Sequence, residues 1–280
     1  MSEAILQLDG VTKRYGDHLA VDDVSFEVPD GAVYGLLGPN GAGKSTTIRM
    51  IMRIIAMDSG SIELDGAPVD DDRRRLIGYL PEERGLYRKM KVLEHLVYLG
   101  TLRGVGPGEA KRRASAWLDK LDLGDWAGHK VEDLSKGMQQ KVQFIGTVLH
   151  RPRMLILDEP FSGLDPINTR ELKDLMLAMS RDGVTVVLST HVLPQVDELC
   201  THICLINRAR KILEGPLSNI RSDYGGNVWR IHTDLAAEAI AELPGVIATR
   251  PLGEELLVEL TDDAGPRELM RRLVQRGEVV

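Results

Sequence analysis

A glycine-rich loop that follows a short apolar run constrains this chain more than any other feature. Residues 38–46 have the sequence GPNGAGKST, and residues 33–37, VYGLL, lead directly into them. In a strand–loop–helix arrangement, the backbone N–H groups of such a loop curl around phosphate oxygens, and the helix adds the positive end of its dipole. The loop therefore predicts a nucleoside triphosphate site. Its candidate binding residues are Gly38, Pro39, Asn40, Gly41, Ala42, Gly43, Lys44, Ser45 and Thr46.

The side chains that would act on the phosphates come from two segments. In the loop, Lys44 supplies a positive charge to the β- and γ-phosphates, and Ser45 offers a ligand to Mg²⁺. In residues 154–160, MLILDEP, the apolar residues predict a buried strand with Asp158 at its C-terminal end, where ligand sites of α/β sheets form. We expect Asp158 to hold the Mg²⁺ shell and Glu159 to polarise an attacking water. Lys44 and Glu159 are therefore candidate catalytic residues that act on a nucleoside triphosphate, with Mg²⁺ as a cofactor.

A second helix N-terminus suited to an anion occurs at residues 134–141, LSKGMQQK. Ser135 and the N–H groups around Gly137 can donate to a phosphate, and the helix dipole favours the negative charge. The glycine-rich loop already surrounds one side of a nucleotide. This second cluster of donors therefore suggests that it faces the nucleotide of another copy. The alternative is an ordinary helix capped by a serine.

The overall charge and hydropathy exclude several classes of protein. The formal net charge is −7, which argues against a nucleic-acid-binding surface because such surfaces show a basic excess. The sequence has no apolar run of the roughly 18 residues that a membrane-spanning helix needs. Residues 1–10, MSEAILQLDG, lack the basic and apolar regions of a secretory signal. We therefore expect a cytoplasmic protein.

Cys200, His202 and Cys204 lie within one short segment, CTHIC. This spacing can be interpreted as part of a metal site, but a closed zinc site typically takes four ligands. The alternative is a helix that ends before a buried strand, with both thiols as small apolar fillers. The small number of cysteines also agrees with a reducing compartment.

Alternating strand-like and helical segments predict an α/β core with a largely parallel sheet. Helical spacing dominates from Met90 to about residue 150, and further helices are expected at 46–55, at 193–199 and from Pro166, because proline is favoured in a first turn. Strand patterns occur at residues 5–8, 19–28, 33–37, 61–64, 76–80, 154–157, 184–189 and 203–206, the last with a hairpin partner at 211–213.

A change of composition near Tyr224, Gly225 and Gly226 predicts a linker. Beyond it, strand patterns at 228–231 and 255–260 alternate with helical patterns at 235–243 and 267–274. We therefore expect a small α+β domain at residues 227–280, with a last strand that begins at Glu278 and is cut short by the end of the chain. The preceding domain is expected at residues 1–222, with a helical subdomain at about 85–150.

The order of these motifs resembles that of ATP-binding-cassette (ABC) ATPases across nearly all of residues 1–220. Residues 134–138 resemble the family signature LSGGQ, and residues 162–165, SGLD, resemble the D-loop. His191, in LSTH, matches the switch histidine of the family, and Glu82 follows a proline at the position of the Q-loop glutamine. The resemblance implies a P-loop NTPase fold with a helical insert.

The resemblance also implies roles for single residues. Tyr15 lies where the family stacks an aromatic ring on adenine, although the residue alone would be interpreted as a packing residue. His191 corresponds to a contact with the γ-phosphate, and Asp165 to a subunit interface rather than a simple turn before Pro166. Glu82 corresponds to a position that reaches Mg²⁺ through water.

Three positions depart from the family pattern. Lys136 and Met138 replace the first glycine and the glutamine of the signature, whereas Ser135 and Gly137 remain. Lys136 adds a cation near the expected γ-phosphate, and Met138 has no assigned role. Glu82 replaces the Q-loop glutamine, which puts a carboxylate where the family has an amide.

Residues 79–87, YLPEERGLY, and the C-terminal segment resemble the type-two exporter subgroup, which includes drug and sodium exporters. The resemblance implies an ATPase subunit that forms a homodimer around two MgATP. This dimer would drive a separate transmembrane permease from the cytoplasmic face of the membrane. Residues 83–90 are the expected permease contact, and no nucleic-acid partner is expected.

Two other classes of function share part of this pattern. A soluble ABC ATPase that acts on nucleic acid or ribosomes has the same motifs, but such proteins usually carry two cassettes or a long coiled-coil insert. A P-loop kinase shares the phosphate loop, but it needs an acceptor pocket and leaves the LSKGM segment and His191 unexplained.

Overall fold

Strands and helices alternate along most of this chain. The computed structural model describes residues 4–83, 85–224, 228–233, 235–252, 255–261 and 269, and the chain divides into units at residues 1–217 and 218–280. The strands of the first unit are β1 (Ala4–Tyr15), β2 (His18–Pro29), β3 (Val33–Leu37), β4 (Ser59–Leu64), β5 (Ala67–Pro68), β6 (Ile77–Leu80), β7 (Met154–Asp158), β8 (Thr185–Thr190), β9 (His202–Asn207) and β10 (Arg210–Pro216). Its helices are α1 (Lys44–Ile51), α2 (Val92–Leu102), α3 (Pro107–Lys120), α4 (Lys136–Val148), α5 (Pro166–Arg181) and α6 (Leu193–Leu199), and α7 (Leu217–Tyr224) begins at the boundary.

The central sheet is parallel, with an antiparallel strand at one edge. Its strands follow the order β10-β9-β3-β8-β7-β6, and β10 pairs with β9 as the predicted hairpin. Strands β3, β7 and β8 are buried along their whole length, as is expected of parallel strands with both faces covered. The predicted α/β class is confirmed. Because β3 and β7 are both parallel to β8, the glycine-rich loop and Asp158 lie at the same end of the sheet, where the carboxyl ends of these strands meet.

A second, antiparallel sheet is not evident from the sequence. Its strands follow the order β2-β1-β4-β5, and its buried residues form one cluster with residues of α1 and the central sheet. Members of this cluster include Val24, Phe26, Leu64, Ile48 and Tyr34. Each strand has a local pattern of alternation, but the pairing of β1 with β4 is non-local because α1 lies between them in the chain.

The helices of the first unit agree with the predicted pattern except for the bounds of α1. Helices α2, α3 and α4 lie between β6 and β7 and pack against one another, which confirms the helical character from Met90 to about residue 150. Helix α5 begins at Pro166 and α6 covers the predicted residues. The helix predicted at 46–55 is α1, which begins earlier, directly after its N-cap Gly43, and also ends earlier, at Ile51. Among the described residues, no helix combines the length and apolar character that a membrane crossing requires.

The imidazole of His95 is buried in the helical region without hydrogen-bond partners. It lies in α2, is fully buried, and neither ring nitrogen has a partner among the described atoms. Its ring lies beside that of Tyr87, at 5.7 Å between ring centroids. Burial lowers the pKa of His95 from 6.5 to about 4, because a charged imidazolium is poorly solvated there.

Replacing His95 by leucine is expected to make the protein more resistant to acid. Between pH 6.5 and 4 the unfolded chain binds a proton at this histidine and the folded chain does not, so stability falls as the pH falls through that window. For the pKa values of 6.5 and about 4, linkage gives a loss of about 2 kcal/mol at pH 5. Urea unfolding at pH 7.5 and pH 5 would measure the difference. His129→Leu, an exposed matched control, should leave the acid slope unchanged, and equal slopes for His95→Leu and wild type would contradict the prediction.

The two cysteines behave as buried apolar residues. Both thiols are free and buried, Cys200 at the end of α6 and Cys204 in β9. Burial raises the pKa of each thiol to about 12, which keeps both protonated. Within the described ranges, no group of three or more His, Cys, Asp or Glu side chains is arranged to hold a metal ion. The structure therefore favours the packing interpretation of the CTHIC segment.

The second unit contains a small antiparallel sheet. Its elements are β11 (Val228–His232), α8 (Ala237–Ala241), β12 (Val246–Leu252) and β13 (Glu255–Leu260), with strand order β11-β13-β12. Helix α8 is shorter than the predicted 235–243, and β12 has no clear sequence pattern because it is largely exposed and contains Pro251. Of the helix predicted at 267–274, only Leu269 is described, as a helical and buried residue. The strand predicted from Glu278 lies outside the described residues.

Candidate nucleotide-binding site

The glycine-rich loop packs so closely against the backbone of two strands that there is no room for a side chain at two of its glycines. Gly38 follows β3 with φ 154°, and a Cβ atom there would lie 2.1 Å from the carbonyl oxygen of Ile206. Gly43 has φ 111°, and its Cβ would lie 2.5 Å from the carbonyl oxygen of Ala20. Both distances are far below van der Waals contact, so the path of the loop requires glycine at these positions.

The loop borders a cavity of about 290 Å³. Most of the loop residues proposed for nucleotide binding line it, together with two acidic residues that follow β6 and β7. These residues are Asn40, Gly41, Ala42, Gly43, Lys44, Ser45, Thr46, Glu82 and Glu159. His18 and Ala20 of β2 also line the cavity. Sequence reasoning missed both, because their approach to the loop depends on packing between the two sheets.

Lys44 is buried in the loop with its ammonium group directed at the loop backbone. The side chain is 6% exposed, and Nζ donates hydrogen bonds to the carbonyl oxygens of Gly38 at 2.7 Å and Pro39 at 3.3 Å. Its Nζ also lies 3.7 Å from Oε1 of Glu159. A buried charge is costly unless it is paired, and these three oxygen atoms pair the ammonium group.

Asp158 ends β7 as a buried carboxylate with an unpaired oxygen. It is 2% exposed, and its Oδ1 has no hydrogen-bond partner among the described atoms. The neighbouring residue in β8 is Ser189, whose Oγ is also buried and without a described partner. A carboxylate is costly to bury unless it is paired or binds a metal. The hard oxygen atoms of Asp158 and Ser45 fit Mg²⁺.

Glu159 adopts a backbone conformation that is unusual for a side chain other than glycine. Its φ is 47°, and its N–H donates to the carbonyl oxygen of Ser189 at 3.1 Å. Such a conformation stores strain and persists where the surroundings hold it. Here it directs Oε1 toward His191, whose Nδ1 lies 2.9 Å away.

The turn that carries His191 is fixed by a hydroxyl group. Thr190 is fully buried, donates its Oγ1 hydrogen to Oε1 of Gln195 at 2.8 Å, and accepts from the N–H of Val192 at 3.1 Å. Sequence reasoning missed Thr190 and Gln195. A threonine directly before a candidate histidine is the available signal, since Ser and Thr commonly fix turns through their hydroxyls.

Ser135, Gly137 and Asp165 do not line this cavity. Ser135 is the exposed N-cap of α4, and its Oγ accepts from the N–H of Met138 at 3.3 Å. Asp165 is the N-cap of α5, and hydrogen bonds led by the N–H of Asn168 lower the pKa of its carboxyl group. All three residues therefore lie at helix N-termini outside the part of the site formed by the glycine-rich loop.

Asn168 joins the two helix N-termini within one chain. Its Nδ2 donates to Oδ2 of Asp165, and its side chain packs against the backbone of Gly137, where a Cβ atom would lie 2.4 Å from Nδ2. Glycine at 137 is therefore required for this packing, apart from any contact with a ligand. Sequence reasoning missed Asn168, since nothing in its position along the chain indicates contact with α4.

Tyr15 lies beside the cavity rather than in its lining. It ends β1, is 49% exposed, and pairs with His18, which does line the cavity. Nζ of Lys13 lies 5.5 Å from the centre of the Tyr15 ring. The exposed ring is available for stacking, and its role on adenine stays a prediction.

These features define a P-loop nucleotide-binding protein. Residues 21–162 match the family described as ABC transporter. The chain is 40% identical over 273 residues to the ABC transporter ATP-binding protein YhaQ of Bacillus subtilis, covering 98% of this chain and 92% of the relative. It is 35% identical over 270 residues to the Nod factor export ATP-binding protein I of Burkholderia thailandensis, covering 95% and 89%. The chain belongs to the ABC transporter ATP-binding family, as predicted.

The fold is also similar to a solved ATP-binding cassette. The match to a dimeric cassette in a post-hydrolysis state, bound to ADP and Pi, has a TM-score of 0.68 and 25% identity, and it covers 76% of this chain and 98% of the other. This likeness agrees with the predicted P-loop fold.

Proposed function

We propose that this chain is the ATP-hydrolysing subunit of an exporter, and that two copies close head to tail around two MgATP. The observation that carries the proposal is the separation of the motifs. The glycine-rich loop, Glu82 and Glu159 line one cavity, whereas Ser135, Gly137 and Asp165 lie outside it. A second copy in the opposite orientation would supply these residues to the open side of the nucleotide. The solved relative bound to ADP and Pi is itself a dimer.

The residues in and beside the cavity divide the chemistry among them. Lys44 would hold the β- and γ-phosphates. Ser45 and Asp158 would hold Mg²⁺, and Glu82 would reach it through water. When bound, Mg²⁺ neutralises charge that develops on the phosphate oxygens.

Glu159 and His191 act at the γ-phosphate. Glu159 accepts a proton from the attacking water or orients it. The hydrogen bond between its Oε1 and Nδ1 of His191, at 2.9 Å, holds the two side chains together. His191 is 48% exposed, so its ring can turn toward a bound γ-phosphate. Catalysis in this class of reaction is mainly positioning and charge stabilisation.

The proposed permease contact is an apolar pocket beside the loop that follows β6. This pocket of about 240 Å³ is lined in part by Leu86, Leu99 and Leu102. Tyr87 and Leu102 are large and exposed, which is typical of a surface that another protein covers. A relative of this chain is named for Nod factor export. In this proposal the subunit lies against the cytoplasmic face of the membrane, and the permease determines the cargo.

Ser135→Arg tests whether the site is shared. The bulky side chain should block the approach of α4 to the partner's nucleotide, so hydrolysis should fall about 100-fold or more, as for loss of a group that stabilises the transition state. Binding of ATP to the monomer should stay within about twofold of wild type, because Ser135 does not line that cavity. Steady-state hydrolysis and equilibrium binding of a fluorescent ATP analogue would measure these effects.

The matched control is Ser59→Arg, at an exposed position of β4, which should change neither property. A loss of nucleotide affinity in the Ser135→Arg monomer would put Ser135 in the chain's own site and contradict the proposed dimer.

Co-purification of wild type with a membrane protein encoded beside it would test the permease part.

A further inference from the structure

Glu82 and Glu159, the acidic residues that line the cavity, lie next to backbone carbonyl groups that are outside the hydrogen-bonded strands of the sheet. β6 ends at Leu80 and β7 ends at Asp158. The carbonyl groups of Pro81 and Pro160 therefore follow the last paired residues of the sheet. Buried carbonyls in such positions need donors from elsewhere in the protein. Pro81 directly precedes Glu82, and Pro160 directly follows Glu159.

Two glutamine side chains of α4 supply these donors. Nε2 of Gln143 donates to the carbonyl oxygens of Pro81 at 3.2 Å and Glu83 at 3.4 Å, which are the residues on either side of Glu82. Nε2 of Gln140 donates to the carbonyl oxygen of Pro160 at 3.0 Å. Gln140 and Gln143 are three positions apart and therefore lie on one face of the helix.

The burial of these amides indicates that their hydrogen bonds are specific. Gln140 and Gln143 are each 7% exposed, and Oε1 of Gln143 has no partner among the described atoms. A buried amide without its hydrogen bonds is unfavourable, and an apolar side chain of similar size would fill the same space. Glutamine therefore differs from leucine at these positions in one respect, which is that its side-chain N–H groups donate hydrogen bonds to the two loops.

Helix α4 is also in backbone contact with β6. The strand residue Gly78 has no Cβ atom, and one built there would lie 2.6 Å from the carbonyl oxygen of Thr147. A helix packed this closely transmits a displacement to the strand end, because packed interiors have low compressibility.

We infer that Gln140 and Gln143 are positioning residues that make α4 the link between the two nucleotide sites. The inference rests on the proposed dimer. The N-terminus of α4 carries Ser135 and Gly137, which face the partner's nucleotide in that dimer. The amides of the same helix hold the backbone beside Glu82 and Glu159 in its own site. Binding of a nucleotide at one site thereby aligns Glu82 and Glu159, the proposed metal-facing and water-facing residues, in the other site.

Separate replacements of the two glutamines should have different effects. Gln143→Leu removes the donor that brackets Glu82, so the increase in ATP affinity caused by Mg²⁺ should shrink about tenfold, while ATP affinity in EDTA stays within about twofold of wild type. Gln140→Leu removes the donor beside Glu159, so kcat should fall about tenfold with the Mg²⁺ effect intact. A fluorescent ATP analogue titrated with and without Mg²⁺ measures the affinities, and phosphate release measures kcat.

Two further variants separate positioning from packing. Gln143→Glu has nearly the shape of glutamine but, when ionised, no side-chain donor, so it should behave like Gln143→Leu. Thr147→Val keeps the backbone of α4 that packs on β6 and removes only a hydroxyl group, which donates within the helix to the carbonyl oxygen of Gln143 at 3.0 Å and does not contact either loop. It should therefore leave the Mg²⁺ effect and kcat within about twofold of wild type. Thermal melting of each variant shows whether it is folded.

The outcomes distinguish this inference from the proposed function. If wild type hydrolyses ATP and dimerises with MgATP, and the folded Gln140 and Gln143 variants match it, the inference alone is wrong. Equal effects of both leucine variants and Thr147→Val would likewise overturn it, since that result indicates packing. A wild-type chain that neither hydrolyses ATP nor dimerises would overturn the proposed function and the inference together.

Discussion

Glu159→Gln is expected to stop ATP turnover while MgATP binding persists. Glutamine keeps the shape of the side chain but cannot accept a proton from the attacking water, and general-base groups typically contribute about 10²- to 10⁴-fold to rate. With hydrolysis slow, the closed dimer should accumulate. Size-exclusion chromatography with light scattering, with and without MgATP, would show a shift from monomer to dimer.

The loss of a charge at position 159 also changes the electrostatics of the site before ATP binds. This gives a second expected result, a change in ATP affinity. Oε1 of Glu159 lies 3.7 Å from Nζ of Lys44, so the neutral amide leaves the ammonium group with less compensating charge. ATP, which is an anion, should therefore bind the variant at least as tightly as wild type. Glu94→Gln, the same substitution at an exposed position of α2, should keep full turnover. Hydrolysis at the wild-type rate in Glu159→Gln would remove Glu159 from its proposed role.

Local and non-local features of the site differ in how well the sequence predicts them. The phosphate loop is a property of consecutive residues, because its glycines and the helix that follows lie together in the sequence. The sequence therefore identified the segment that borders the cavity. The contacts of Asn168 with Gly137 and of Gln140 with Pro160 join distant segments. Asparagine and glutamine are ordinary surface residues in sequence, so nothing marks these contacts before the fold is known.

The same distinction applies to the fold. The parallel sheet follows from alternating strand and helix patterns, whose connections have few topological solutions. The antiparallel sheet depends on the pairing of β1 with β4 across α1, and strand alternation alone does not specify a partner. In the second unit, β12 escaped prediction because its exposed face and Pro251 weaken the alternation.

Lys44→Ala is expected to weaken ATP binding about 10- to 100-fold, since hydrogen bonds to charged groups contribute about 1.5–3 kcal/mol. The substitution removes the buried ammonium group that the loop carbonyls of Gly38 and Pro39 hold in place. Equilibrium binding of a fluorescent ATP analogue would measure the loss. Lys111→Ala, at an exposed position of α3, is the matched control and should bind ATP as wild type does.

Mixing Lys44→Ala with Ser135→Arg gives the most stringent test of two shared sites. Each variant alone forms dimers in which both sites are defective. In a mixed dimer, the intact loop of the Ser135→Arg chain faces the intact α4 N-terminus of the Lys44→Ala chain, so one complete site is restored. Hydrolysis should therefore rise well above the sum of the separate variants when they are mixed. If Ser135 instead served the nucleotide of its own chain, every site in the mixture would lack one group and no activity would return.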